Sequence, residues 1–124
     1  MSEKLILVVD DSKTDFLYVK KILDAGGYTV THAESGEEAL QEIKRLQPCC
    51  IIMDVVMPKM NGFQATRAIS RDETMSSIPV IMLSSKSEQT DKVWAERQGA
   101  FDYVVKPANP KLLLDKVAAA LARG

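Results

Sequence analysis

Short apolar runs, each ending at a polar residue or a turn, alternate with stretches whose apolar residues recur at helical spacing, and the alternation repeats five times. Such alternation marks an α/β domain whose helices cover both faces of a parallel sheet, because a strand buried on both faces reads as a continuous apolar run. The first run, Leu5-Ile6-Leu7-Val8-Val9, predicts a strand. A helix over about Lys13–Ala25 follows, with Phe16, Val19, Ile22 and Leu23 on one face, Asp11 or Ser12 as its cap and Gly26-Gly27 as its stop. Tyr28 to Thr31 reads as the second strand. Ser35 then precedes a helix over about Gly36–Leu46, with Glu38 in the capping-box position and Pro48 barring its continuation. The third strand is Cys50 to Met53, and the loop from Val55 to Gly62 leads into a helix over about Phe63–Arg71. Pro79 to Leu83 predicts the fourth strand, and a helix over about Glu88–Gln98 ends at Gly99. Tyr103 to Val105 is the fifth strand. Asn109 as cap and Pro110 in the first turn open a last helix carrying Leu113, Leu114, Val117 and Leu121.

Charge and cysteine usage narrow the function classes. Sixteen basic residues stand against seventeen acidic ones in 124 residues, and the Lys and Arg are scattered, so neither a nucleic-acid nor an anionic-membrane footprint is expected. The length suits one domain, here expected to span residues 1–124 as a monomer. No apolar stretch approaches the roughly 20 residues of a membrane span. Met1-Ser2-Glu3-Lys4 runs into a strand without a signal peptide's apolar region, so a cytoplasmic location is expected. Cys49 and Cys50 are neighbours, a poor geometry for a disulfide and too few ligands for zinc, and read as two buried thiols. His32, the sole histidine, is placed past the second strand, away from the acidic residues. Trp94 reads as a packing residue rather than a partner anchor.

The chemistry concentrates at strand ends. Asp10-Asp11 closes the first run, Asp54 the third, Ser84-Ser85 follows the fourth and Lys106-Pro107 the fifth. In open α/β sheets ligands bind in the crevice at the carboxyl ends of the strands, so these residues from four strands are candidates for one site. Three carboxylates in one crevice repel each other unless protons or a divalent cation intervene, and all-oxygen ligation suits a hard cation such as Mg²⁺. Metal-assisted phosphoryl chemistry is the reading.

This set, with Met57-Pro58 and Asn61-Gly62 after Asp54, resembles the receiver domain of bacterial two-component response regulators over essentially the whole chain. The resemblance implies a flavodoxin-like (βα)5 fold with a five-stranded parallel sheet in the order 2-1-3-4-5. It makes Asp54 the phosphoacceptor, whose carboxylate takes a phosphoryl group from a histidine kinase. Mg²⁺ would be held by Asp10, Asp11, Asp54 and the backbone carbonyl of Val56. In that order Lys106 lies two strands from Asp54, roughly 10 Å at the backbone, a gap its four-carbon stem can largely span. Lys106 would neutralise charge on the transferring oxygens, and Ser84 would hydrogen-bond the phosphoryl group and draw its loop inward. Tyr103 matches the aromatic that changes exposure with that motion, and Lys106-Pro107 matches the family's cis peptide. Val56 departs from the polar residue that some fast-cycling receivers place two after the acceptor, which predicts slow autodephosphorylation; Lys86, two after Ser84, could oppose this by drawing in an anion.

The leading function is a stand-alone switch without an output domain, catalysing only its own phosphorylation and dephosphorylation and read out by binding a downstream protein. A haloacid-dehalogenase-like phosphatase needs a second Asp two residues after the first, where Val56 stands. A flavodoxin-like electron carrier would cradle a phosphate in its first loop, where Asp10-Asp11 would repel one. A degenerate receiver used only for interaction is opposed by the complete acid, hydroxyl and lysine set. The stretches Asn61-Gly62-Phe63-Gln64-Ala65-Thr66-Arg67, Thr90-Asp91-Lys92-Val93-Trp94 and Arg97-Gln98-Gly99-Ala100 resemble single-domain regulators of type IV pilus twitching motility. That likeness implies a chemotaxis-like pathway with the pilus machinery as candidate target; a phosphate sink, a phosphorelay receiver and a flagellar chemotaxis regulator stay open as alternatives.

Overall fold

Each apolar run becomes a strand of one parallel sheet. The computed structural model describes residues 4–85 and 89–123, the side chains of 89–91 and 123 excepted. In chain order the elements are β1 (Leu5–Val9), α1 (Lys13–Ala25), β2 (Thr29–Ala33), α2 (Gly36–Leu46), β3 (Cys50–Asp54), α3 (Gly62–Arg71), β4 (Val80–Ser84), α4 (Gln89–Arg97), β5 (Asp102–Val105) and α5 (Pro110–Arg123). The sheet order is β2-β1-β3-β4-β5, every pairing parallel, as the resemblance implied.

The two-sided burial explains why the strands lack alternation. Leu7, Val9, Ile51, Met53 and Met82 face Ala39 and Ile43 of α2 and Ala65 and Ile69 of α3. Their neighbours Ile6, Val8, Ile52, Ile81 and Leu83 point the other way, into Phe16, Val19 and Leu23 of α1 and Leu113 and Val117 of α5. Successive strand residues therefore feed opposite cores. Helix ends follow their polar side chains. The Ser12 hydroxyl accepts from the Asp15 N–H at 3.3 Å, which settles the α1 cap on Ser12 rather than Asp11. Ser35 accepts from the Glu38 N–H at 3.1 Å, and Asn109 from the Leu112 N–H at 3.0 Å. α3 has a reciprocal capping box that the sequence reading missed: Asn61 and Gln64 exchange side-chain to backbone bonds, both at 2.9 Å.

Several boundaries differ from expectation for one reason. A polar side chain ends an apolar run without ending the backbone ladder, so β3 includes Asp54, opposite Leu83, and β4 includes Ser84, opposite Val105. β2 shifts further, to Thr29–Ala33. As an edge strand it needs only one buried face, so its polar residues stay in the ladder, and His32 sits inside it opposite Val8. The expected helix start at Glu88 and the residue Lys86 lie outside the described residues. Of the two cysteines only Cys50 is buried; both thiols are free, and burial raises the pKa of each, that of Cys50 to about 12.

Candidate functional site

The carboxyl ends of β1 and β3 are adjacent in the sheet, and this adjacency brings the acids together. Asp10 follows β1 directly. Its N–H donates to the Ala33 carbonyl at 3.0 Å, and its carboxylate accepts from the Ser12 N–H at 2.9 Å, so backbone bonds on both sides fix its direction. Asp54 is held by the ladder to β4. Asp10 is 3% exposed and Asp54 7%, while Asp11 lies open to solvent. One oxygen from each of the three lies within 4.8 Å of the others.

Gly62 lets the loop after Asp54 fold back over it. The Gly62 N–H donates to the Val55 carbonyl at 2.8 Å, and a Cβ at position 62 would stand 2.1 Å from the Asp54 carbonyl oxygen. No side chain fits there. The close approach sets the start of α3 against the backbone of the acid itself.

Lys106 completes the cluster from the far side of the sheet. Its N–H donates to the Ser84 carbonyl at 2.7 Å, which ties the end of β5 to the end of β4. The Lys106-Pro107 peptide is cis. The side chain reaches across the end of β4, and Nζ stands 3.0 Å from Asp54 Oδ1, 3.1 Å from Asp10 Oδ2 and 2.9 Å from Asp15 Oδ2. Three carboxylates thus use the three donors of one ammonium. Burial works to depress the lysine pKa, but hydrogen bonds to Asp15, Asp54 and Asp10 outweigh it and hold the group firmly cationic. Asp54 moves the opposite way from an ordinary carboxylate. Burial pushes its pKa from 3.8 to about 6, the Lys106 hydrogen bond pulls it down, and the charge of Asp10 raises it again.

The remaining sequence candidates fall at or near this crevice. Ser84 is 1% exposed at the last position of β4, beside the strand that ends in Asp54. Tyr103 is buried on the α2–α3–α4 side of the sheet, opposite Met82. Val56 is 61% exposed. Trp94 is half-exposed and meets Phe63 edge-on, with ring centroids 6.5 Å apart. Sequence reasoning missed two contacts. Asp15, in the first turn of α1, looks like an acid suited to a helix N-terminus, and only the rotamer of Lys106 makes it part of the cluster. His32 stands beside an acid rather than away from all of them: its ring stacks on Phe16 with centroids 3.8 Å apart, and Nε2 lies 2.8 Å from the Asp10 carbonyl oxygen.

The donor set fits a small hard cation. Mg²⁺–oxygen bonds of roughly 2.1 Å place two ligands on one ion at most about 4.2 Å apart. A bound of 4.8 Å among the acid oxygens asks for a contraction well under an ångström. All three donors are carboxylates, and the exposed Asp11 leaves a side open for water, as that ion prefers.

Comparison with known proteins agrees with this geometry. Residues 6–118 match the response regulator receiver domain. The chain belongs to that family. Among curated relatives, protein PilH of Pseudomonas aeruginosa is 44% identical over 117 residues, covering 94% of this chain and 97% of PilH. The alkaline phosphatase synthesis transcriptional regulatory protein PhoP of Bacillus subtilis is 37% identical over 120 residues; the receiver spans 97% of this chain but 49% of PhoP. Among solved structures, Vibrio cholerae chemotaxis protein CheY4 superposes with a TM-score of 0.90 at 32% identity, covering 97% of this receiver and 100% of that chain. The signal receiver domain of a histidine kinase from Syntrophus aciditrophicus gives 0.88 at 34% identity, covering 97% and 91%. This receiver therefore has the five-stranded CheY-like fold expected of two-component signalling. Among the described residues no helix is long and apolar enough to cross a membrane.

Proposed function

We propose that this receiver is a phosphorylatable switch whose acceptor is Asp54. The observation that carries the reading is a buried carboxylate gripped by a lysine, with two further carboxylates placed to share a cation with it. With a pKa of about 6, Asp54 is mostly ionised at neutral pH and available as a nucleophile. One of its oxygens forms a bond to phosphorus while the P–N bond of a kinase phosphohistidine breaks; the leaving imidazole keeps the electron pair and takes a proton. Mg²⁺ held by Asp10, Asp11, Asp54 and the carbonyl of Val56 would neutralise charge on the transferring oxygens. Lys106 supplies a fixed positive charge 3.0 Å from Asp54 Oδ1. Ser84, anchored to Lys106 through its carbonyl, is the hydroxyl that would follow the phosphoryl group, and buried Tyr103 is the aromatic whose surroundings would change with it.

The similarity to PilH across nearly its full length supports a pilus-related pathway, whose output is a protein partner. Intact mass after incubation with phosphoramidate tests the chemistry. One phosphoryl group should appear with Mg²⁺, and none should appear with EDTA or in Asp54→Ala. Undiminished incorporation in Asp54→Ala would move the acceptor elsewhere. Affinity capture from native lysate, with and without beryllofluoride and Mg²⁺, tests the pathway. A pilus-machinery protein retained only by the activated form supports an output adaptor; retention of the kinase alone supports a phosphate sink.

A further inference from the structure

Two side chains on one face of α1 hold the loop that carries Lys106. Asp15 Oδ2 accepts from Lys106 Nζ at 2.9 Å, and three residues later the Tyr18 hydroxyl donates to the Ala108 carbonyl at 2.7 Å. Residues three apart on a helix share a face, so both contacts come from the same side. Between α1 and this loop lies a cleft of about 470 Å³, lined by Thr14, Asp15, Tyr18, Lys106, Pro107 and Ala108. Ala108 is buried in one core with Phe16 and Val19 of α1, while the Lys106 side chain meets the helix across this cleft through Asp15.

We propose that Asp15 and Tyr18 are positioning residues that keep the Lys106 ammonium over Asp54. This rests on the phosphoacceptor reading above and deepens it. Of the three carboxylates on Lys106, Asp10 and Asp54 belong to the group able to share a metal ion, whereas Asp15 does not. A cation on Asp10 and Asp54 withdraws the charge that holds the lysine. Asp15 is the partner left with its full charge, and its side chain, 47% exposed, sits outside the metal cluster. Tyr18 acts on the backbone of the loop instead, two residues after Lys106.

The test is a set of double-mutant cycles with Lys106→Ala. Initial phosphorylation by phosphoramidate with saturating Mg²⁺ should slow roughly tenfold in Asp15→Ala and about two- to threefold in Tyr18→Phe. Neither substitution should slow the reaction further in the Lys106→Ala background. Calorimetry should show that Asp15→Ala weakens Mg²⁺ binding less than Asp11→Asn does. Metal-free melting in EDTA gives a readout that needs no phosphorylation: the Tm change caused by Asp15→Ala should differ by a few degrees between the wild-type and Lys106→Ala backgrounds. Slowing of equal size in both backgrounds, an unchanged or faster rate in Asp15→Ala, a Mg²⁺ loss equal to that of Asp11→Asn, or identical Tm changes would overturn the proposal. Failure of the wild-type protein to take a phosphoryl group would sink the phosphoacceptor reading, while the EDTA cycle would still decide whether Asp15 acts on Lys106.

Discussion

Replacing Asp54 by asparagine should make the metal-free protein more stable, and only above a definite pH. Its carboxyl has a pKa of about 6 in the folded protein against 3.8 in the unfolded chain, and its side chain is 8% exposed. A raised acid pKa means that the folded state holds its proton longer. Below pH 4 both states are protonated and the acid contributes nothing. Between pH 4 and 6 the unfolded chain releases its proton while the folded protein keeps it, so wild-type stability falls as pH rises. Above pH 6 the loss is complete. At about 1.4 kcal/mol per pKa unit, it amounts to roughly 3 kcal/mol. A neutral amide is a poorer partner for Lys106 than the carboxylate it replaces, but the lysine keeps Asp10 and Asp15. About 1–2 kcal/mol of the gain should therefore survive, a rise of roughly 3–8 °C in Tm. Scanning calorimetry of both proteins in EDTA at pH 4 and pH 7.5 reads it directly. A variant less stable than wild type at pH 7.5, or a gain as large at pH 4, would show that ionised Asp54 is not held at a cost by its burial in the folded protein. Mg²⁺ supplies an internal control. At a hundredfold excess over its dissociation constant it adds about 2.7 kcal/mol to the protein that binds it. The wild type should gain most of that and the variant little, reversing the order of the melting curves.

Three further outcomes follow from the same geometry. Gly62→Ala should cost more than about 3 kcal/mol in urea unfolding, because the new methyl meets the Asp54 backbone rather than a movable side chain; a loss under about 1 kcal/mol would show that α3 can shift. Ser84→Ala should remain phosphorylatable while partner affinity responds less to phosphorylation, and an undiminished response would remove Ser84 from the switch. The wild-type aspartyl phosphate should decay slowly because Val56 offers no polar group to an attacking water, and Val56→Asn should shorten its lifetime; decay within seconds in the wild type, without a phosphatase, would contradict this.

The doubly wound fold is legible in the sequence because its central strands are apolar on both faces, a signal that β1 and β3 give without ambiguity. The strand order is not; it comes with the family resemblance. β2 escapes a correct reading because an edge strand buries one face and tolerates Thr29, Thr31 and His32. Asp10, Asp11, Asp54, Ser84 and Lys106 can be picked out because strand ends are where an α/β sheet exposes side chains to a shared crevice. Asp15 and His32 cannot. Their contacts depend on helix phase and on how far Lys106 extends, and neither is written in local periodicity.

The crowding at Asp54 and the proposed switch are two sides of one arrangement. Asp10, Asp15 and Asp54 gather around one ammonium and Asp11 stands beside Asp10 and Asp54, so the resting site carries excess negative charge that a cation relieves. Such a site binds its cation by the same free energy that destabilises it empty, which is why the melting order should reverse with Mg²⁺. The relief cannot remain local. Lys106 is bonded through its N–H to the Ser84 carbonyl, and its side chain to three acids, so any change in what Nζ holds acts on the ends of β4 and β5 together. Tyr103, three residues back along the chain, is buried against the core that includes Ala95 of α4, so a shift of that strand end would be carried to the α4 side of the sheet. A ligand with different affinity for two placements of Lys106 would thereby bias two surfaces, which is the thermodynamic requirement for a signalling output.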